Sequence, residues 1–185
     1  MLTIDSTYFW GTLQLHFADL SVHDSTEGLA VAVATTSRQR EIDLYIEKYE
    51  RKACDIIMGK GVSSEYLKWK GADDEQPYGG SVPTEVFEVL DSILINKDSK
   101  TSPIADYIWL IAVEDTINTE TARGSAVEKI GESVRVSNST KMTRVWNEFV
   151  EQAIEVRSFI RDTEAFDGIR TKPKELSFSN RFWIR

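Results

Sequence analysis

Two histidines, one cysteine and a few carboxylates are the residues whose types could carry chemistry in this chain. His16 and His23 have no cysteine beside them and no HExxH pattern, so they read as loop histidines rather than zinc ligands. Asp73, Asp74 and Glu75 form an acidic run that lacks the alternating ligands and the glycine of a calcium loop. MGKGVSS, Met58 to Ser64, has glycines and a lysine but not the GxxxxGK[ST] spacing that cradles phosphate. Cys54 falls inside a helical pattern and reads as a small packing residue. No GxSxG is present, and no histidine is placed to activate the cysteine. Glu50, Asp55 and Glu114 are the carboxylates an enzyme would use, if they met in a deep pocket; structural salt bridges account for them as well. The residues therefore predict no enzyme, no cofactor and no metal.

Helical segments would have to position whatever these residues do. The longest stretch of helical period is Val134 to Asp162, with a cap expected at Ser137 or Ser139. Met142, Val145, Trp146, Phe149, Val150, Ala153, Ile154, Val156 and Ile160 line its apolar face, and Arg157 falls on the solvated side. Ile42, Tyr45, Ile46, Tyr49, Ala53, Ile56 and Ile57 form a second stripe, which should stop at Gly59. A short helix is expected over Ser64–Lys70 and another from about Pro83 to Asn96. Ser102 should cap a further helix opened by Pro103, apolar nearly all round and so buried on more than one side. Tyr45, Tyr49, Tyr107, Trp146 and Phe149 are the expected core anchors.

Outside these segments the period changes. Tyr8–Phe17 and Leu29–Ala34 alternate in the manner of short strands. Residues 118–136 lose the helical period and predict a loop or hairpin. The expected fold class is thus mainly α: a bundle of about four helices, with short β-strands in an N-terminal arm and an extended C-terminal tail. Its parts are an arm over 1–37, a helical core over 38–164 and a tail over 165–185.

Composition narrows the function classes. Hydrophobic residues at 41% and charged residues at 28% suit a globular chain with a real core, and no run is long and apolar enough for a membrane span. The N-terminus lacks the basic start and cleavage site of a signal peptide, which predicts a cytoplasmic site of assembly. A net charge of −8 argues against wrapping nucleic acid and against sequence-specific binding of it. The charge is uneven: residues 1–37 carry −4 with no Lys or Arg, and residues 170–185 carry +4. Chance explains such a split, and so does an acidic arm of one subunit meeting the basic tail of another. Aromatic residues crowd both ends, with Tyr8, Phe9 and Trp10 at one and Phe178, Phe182 and Trp183, followed by Arg185, at the other. They either pack on their own bundle or serve as an interface between subunits or with another protein.

Three stretches in order, IDLYIEKYERKACDIIMG (Ile42 to Gly59), SPIADYIWLIAVEDTIN (Ser102 to Asn118) and VSNSTKMTRVWNEFVEQ (Val136 to Gln152), carry a resemblance. The chain resembles a family of head-to-tail connector, or adaptor, proteins in the neck of tailed bacteriophages of Bacteroidetes, such as the crAss-like phages. The likeness covers about residues 38–162 and lies in helical signatures rather than catalytic ones. The sequence departs from the family pattern at Asn138 and Arg51, where proline is expected; neither change threatens a helix. The resemblance implies a structural virion protein assembled in the host cytoplasm. It would stand as a homo-oligomeric ring, usually of twelve copies, binding the portal protein on one side and tail or further neck proteins on the other, with DNA passing through the centre. The rival expectations are a small helical enzyme and a monomeric protein-binding module.

Overall fold

A computed structural model describes residues 4–9, 28–73, 77–122 and 128–178, and over these the chain is mainly helical. Five α-helices are described: α1 Gly28–Met58, α2 Lys60–Lys70, α3 Thr84–Leu94, α4 Pro103–Ala122 and α5 Glu128–Asp162. Short 3-10 turns occupy Ser6–Phe9 and Glu164–Phe166.

The expected stops hold where local chemistry sets them. α1 ends at Gly59, whose φ of 82° lies in the left-handed region that a side chain resists. Ser102 caps α4: its Oγ accepts the Ile104 amide at 3.2 Å, and Pro103 fills the first helical position, where no amide hydrogen is needed. α4 is buried on more than one side, with Ile104, Ala105, Ile108, Trp109 and Leu110 all inside.

Several expectations are corrected. Leu29–Ala34 is not a strand but part of α1, because alanine is the best helix former and the stripe that follows carries the helix back through it. The boundary at 37 therefore falls inside a helix. The Tyr8–Phe17 strand begins as a 3-10 turn over Ser6–Phe9, and the rest of it lies outside the described residues. The loop or hairpin at 118–136 is largely helical: α4 runs on to Ala122 and α5 starts at Glu128, with 123–127 outside the described residues. Ser137 and Ser139, the expected caps, consequently sit within α5.

Cross-helix contacts fix the arrangement. Asp106 and Tyr107 of α4 meet Gln152 and Phe149 of α5, while Trp109 lies under Lys141, so α4 and α5 run antiparallel. Tyr45 of α1 reaches Asp115 of α4 at 3.2 Å, and Arg157 of α5 reaches the last turn of α1, so α1 runs alongside α5. The Gly28 end of α1, the end of α4 and the start of α5 therefore point the same way. At about 1.5 Å per residue, α5 with its 35 residues is about 52 Å long.

The core is continuous. Ile46, Ile57, Leu90, Leu94, Ile104, Ile108, Met142 and Phe149 are fully enclosed. At one end it becomes an aromatic cluster centred on Phe87, with Tyr66, Trp69, Tyr78 and Phe166 at centroid distances of 5.6 to 6.2 Å. Phe166 closes this cluster from the 3-10 turn after α5, so the chain beyond the last helix starts out tied to the core.

Candidate functional site

The junction between α1 and α2 is where distant parts of the chain meet. Gly59 breaks the helix, which leaves carbonyls at the end of α1 and amides at the start of α2 without intrahelical partners. Both sets are served from about a hundred residues away. The Arg157 guanidinium donates to the carbonyls of Ile57 at 3.0 Å and Ile56 at 2.7 Å, and also to that of Lys174 at 2.7 Å. Thr171 Oγ1 accepts the Gly61 amide at 3.1 Å. The tail then runs back along α5 toward Trp146, whose indole N–H donates to the Ser177 carbonyl at 2.9 Å, and Leu176 packs on the core.

Two glycines make that crossing possible. A side chain on Gly61 would collide with the Ile169 carbonyl, and a Cβ on Gly59 would lie 2.5 Å from the carbonyl oxygen of Thr171. MGKGVSS is thus a seat for the tail: the one α2 amide that Thr171 takes is no longer open to a phosphate.

Beside the junction lies a groove of about 230 Å³ with Met58, Ile160 and Pro173 as its apolar walls and Arg157, Arg161, Arg170 and Lys172 as its polar ones. Arg170 donates to the carbonyls of Ile160 and Thr163 and pairs with Asp167 at 2.7 Å. Arg161 and Lys172 are exposed and pair with Asp162 and Glu175 at 3.1 and 3.6 Å. Arg157 differs from them. Its hydrogen bonds all go to carbonyls, and burial alone pulls its guanidinium below the usual value, with no described carboxylate raising it back. Carbonyls satisfy its donors without cancelling its charge.

The carboxylates an enzyme would need do not converge. Glu50 is buried on α1, Asp55 is half-buried a turn and a half further on, and Glu114 is exposed on α4. None lines the groove above or a shallower depression of about 630 Å³ between Glu65, Lys68, Tyr78 and Ile169. Among the described residues no three His, Cys, Asp or Glu gather to hold a metal. His16, His23, Asp74 and Glu75 lie outside them. Cys54 is fully enclosed, and burial pushes its thiol well up, which makes it an inert packing residue.

One buried acid stands out that the sequence reading passed over. Asp106, 6% exposed in the first turn of α4, has its carboxyl pushed up to about 8 by burial, with the nearby Glu148 carboxylate adding to the rise. Gln152 Nε2 donates to it at 3.2 Å and opposes that shift. The available signal was an acid set alone among the apolar residues of the first half of α4, Pro103 to Val113.

The expected interface residues separate. Tyr8 and Phe9 are 5% and 2% exposed and belong to this chain's own core, so their assignment as contacts to a neighbour is corrected: the turn at Ser6–Phe9 folds them inward with Ile4. Phe178 is 60% exposed. Trp10, Phe182, Trp183 and Arg185 lie outside the described residues. Of the core anchors, Phe149 is fully buried, while Tyr45, Tyr49, Tyr107 and Trp146 are half-buried rings packed against the core. Ile154, expected on the apolar face of α5, is 47% exposed.

Sequence reasoning missed Arg157 and Thr171. Arg157 looked like one more solvated charge, and nothing local marks a threonine that caps a helix 110 residues earlier. The Gly-Lys-Gly spacing at 59–61 was the usable sign of a close backbone approach.

Among the described residues no helix is long and apolar enough to cross a membrane. Comparison with family models, with curated proteins and with solved structures returned no match to this chain.

Proposed function

We propose that this chain is a structural virion protein: a subunit of a head-to-tail connector ring that joins a portal to tail proteins and surrounds the path of the DNA. The reading rests on the three helical stretches that resemble neck adaptors. The structural observation that supports it is the tail. It is held by the Thr171 side chain and by its backbone at Lys174 and Ser177, yet it presents Phe178 at 60% exposure, an aromatic offered outward from a fixed mount. An acidic body suits a channel wall, because a surface that repels phosphate does not hold the genome. Phe178, Phe182, Trp183 and Arg185 are the proposed contacts to a neighbouring subunit or to the portal; Tyr8 and Phe9 are not among them.

Removing residues 178–185 tests this, since it spares every anchor just named. The truncated chain should keep the helical content and melting midpoint of the full chain but fail to enter connector rings, as read by electron microscopy and by mass in solution. Incorporation at the full-length level would overturn the proposal.

A second reading, a monomeric protein-binding module, is favoured by one observation: the N-terminal turn and the tail as far as Ser177 both pack on their own chain. The mass of the purified full chain separates the two. A monomer at all concentrations, with no ring on grids, supports the module.

A further inference from the structure

The groove at the α1–α2 junction lies at the far end of α1 from Gly28, and the acidic segment that precedes Gly28 in sequence matches it in chemistry. The groove joins an apolar floor of Met58, Ile160 and Pro173 to a cationic rim. Asp162, Asp167 and Glu175 offset Arg161, Arg170 and Lys172. Arg157 keeps its charge, and Lys60 and Lys174, both exposed and close in sequence to the lining residues Met58 and Pro173, have no carboxylate partner among the described residues. The surplus is positive in a chain whose net charge is −8. Residues 17–27, FADLSVHDSTE, have the opposite character: Asp19, Asp24 and Glu27 with no Lys or Arg, interleaved with Leu20 and Val22, which suit an apolar floor.

A chain cannot fill its own groove with this segment. Asp19 is nine residues from Gly28, so even fully extended it stays within about 32 Å of the start of α1. The groove includes Met58 at the other end of that helix, about 45 Å away at 1.5 Å per residue. Asp24 and Glu27 are held closer still to Gly28.

We infer that the groove receives the acidic segment 19–27 of a second copy of this chain, so that copies join head to tail. The contact is heterologous: each copy gives its segment in one direction and its groove in the other. Such contacts propagate until they close on themselves or form a filament. The inference deepens the connector reading and rests on the chain assembling with itself.

Two charge-reversed variants of the full chain test it, followed by mass in solution at low and high salt. Arg161 and Lys172 have side chains 72% and 86% exposed, so Arg161→Glu with Lys172→Glu leaves the core untouched. Asp19→Lys with Asp24→Lys reverses the segment. Each variant alone should weaken self-association by about tenfold or more, and added salt should weaken the wild type in the same direction. Mixing the two variants should restore assembly, because each then offers the other an opposite partner at both of its ends. Wild-type association by either variant alone, or no recovery on mixing, overturns the inference while leaving the connector reading standing. A wild-type chain that stays monomeric at every concentration overturns both.

Discussion

The two ends of this chain look alike in sequence and behave differently in the fold. Both carry clustered aromatics beyond the helical stripes. At the N-terminal end the rings themselves are buried: Tyr8 and Phe9 go inward with Ile4, against α1 and α4, and Lys100 covers the Tyr8 ring at 5.1 Å. At the C-terminal end the segment is bound and the ring is left out: Arg157 and Trp146 hold the tail backbone, Gly61 holds the Thr171 hydroxyl, and Phe178 faces solvent. Aromatic content marks a segment that has somewhere to go, but hydrogen-bond anchoring decides whether its side chains are spent at home.

This contrast gives a ranked set of expectations. Phe9→Ala should be the costliest, about 3–5 kcal/mol in a chemical denaturation midpoint, because a fully packed ring leaves a cavity. A loss under about 0.5 kcal/mol would place the N-terminal turn outside the cooperative core. Gly61→Ala should cost about 1–3 kcal/mol, since the new methyl meets the Ile169 carbonyl of the crossing tail. Limited proteolysis should then cut around 169–178 while the helical signal persists; unchanged protection there would break the account of the crossing.

The ends should differ in pH response as well. Asp106, beside the turn that carries Lys100, keeps its proton in the folded chain up to about pH 8, whereas the unfolded chain gives it up near 3.8. Arg144, Glu148 and Gln152 face it from α5, and Lys100 from the turn before α4. Between those two values the folded state binds the extra proton, so rising pH takes stability away, by at most about 1.4 kcal/mol per unit. Asp106→Asn should flatten that part of the stability profile, and an unaltered slope would refute the assignment. Tail docking through arginine and carbonyl groups should not follow it. The smallest effect is expected for Phe178→Ala, under about 0.5 kcal/mol in the stability of the single chain, because an exposed ring contributes little to its own fold. A larger loss would mean that this end, too, is spent internally.

Much of the fold was legible because its signals are local. Ser102–Pro103 and Gly59 act through their own backbone chemistry, and the α4 and α5 stripes are dense enough to fix which faces go inside. Leu29–Ala34 misled because a leucine, valine and alanine alternation has period two, while alanine's helix propensity and continuity with Ile42 onward pull it into α1. Residues 118–136 misled through threonine and glycine, poor helix formers that nonetheless complete α4 and open α5. The candidate site was the least legible part. Its defining partners, Arg157 with the end of α1 and Thr171 with the start of α2, are joined only by tertiary folding, and neither residue type signals that role in one dimension.

The crossing of the tail over Gly59 and Gly61 also sets an order of events at the ribosome. The break between the first two helices is made at Gly59, but the residues that seal it, Arg157 and Thr171, are translated 100 and 110 residues after the backbone groups they bind. A nascent chain that has not yet reached Thr171 carries the unsealed break. A chain that stops before Thr171 therefore leaves this seam open, whereas one that reaches Ser177 holds every group needed to close it.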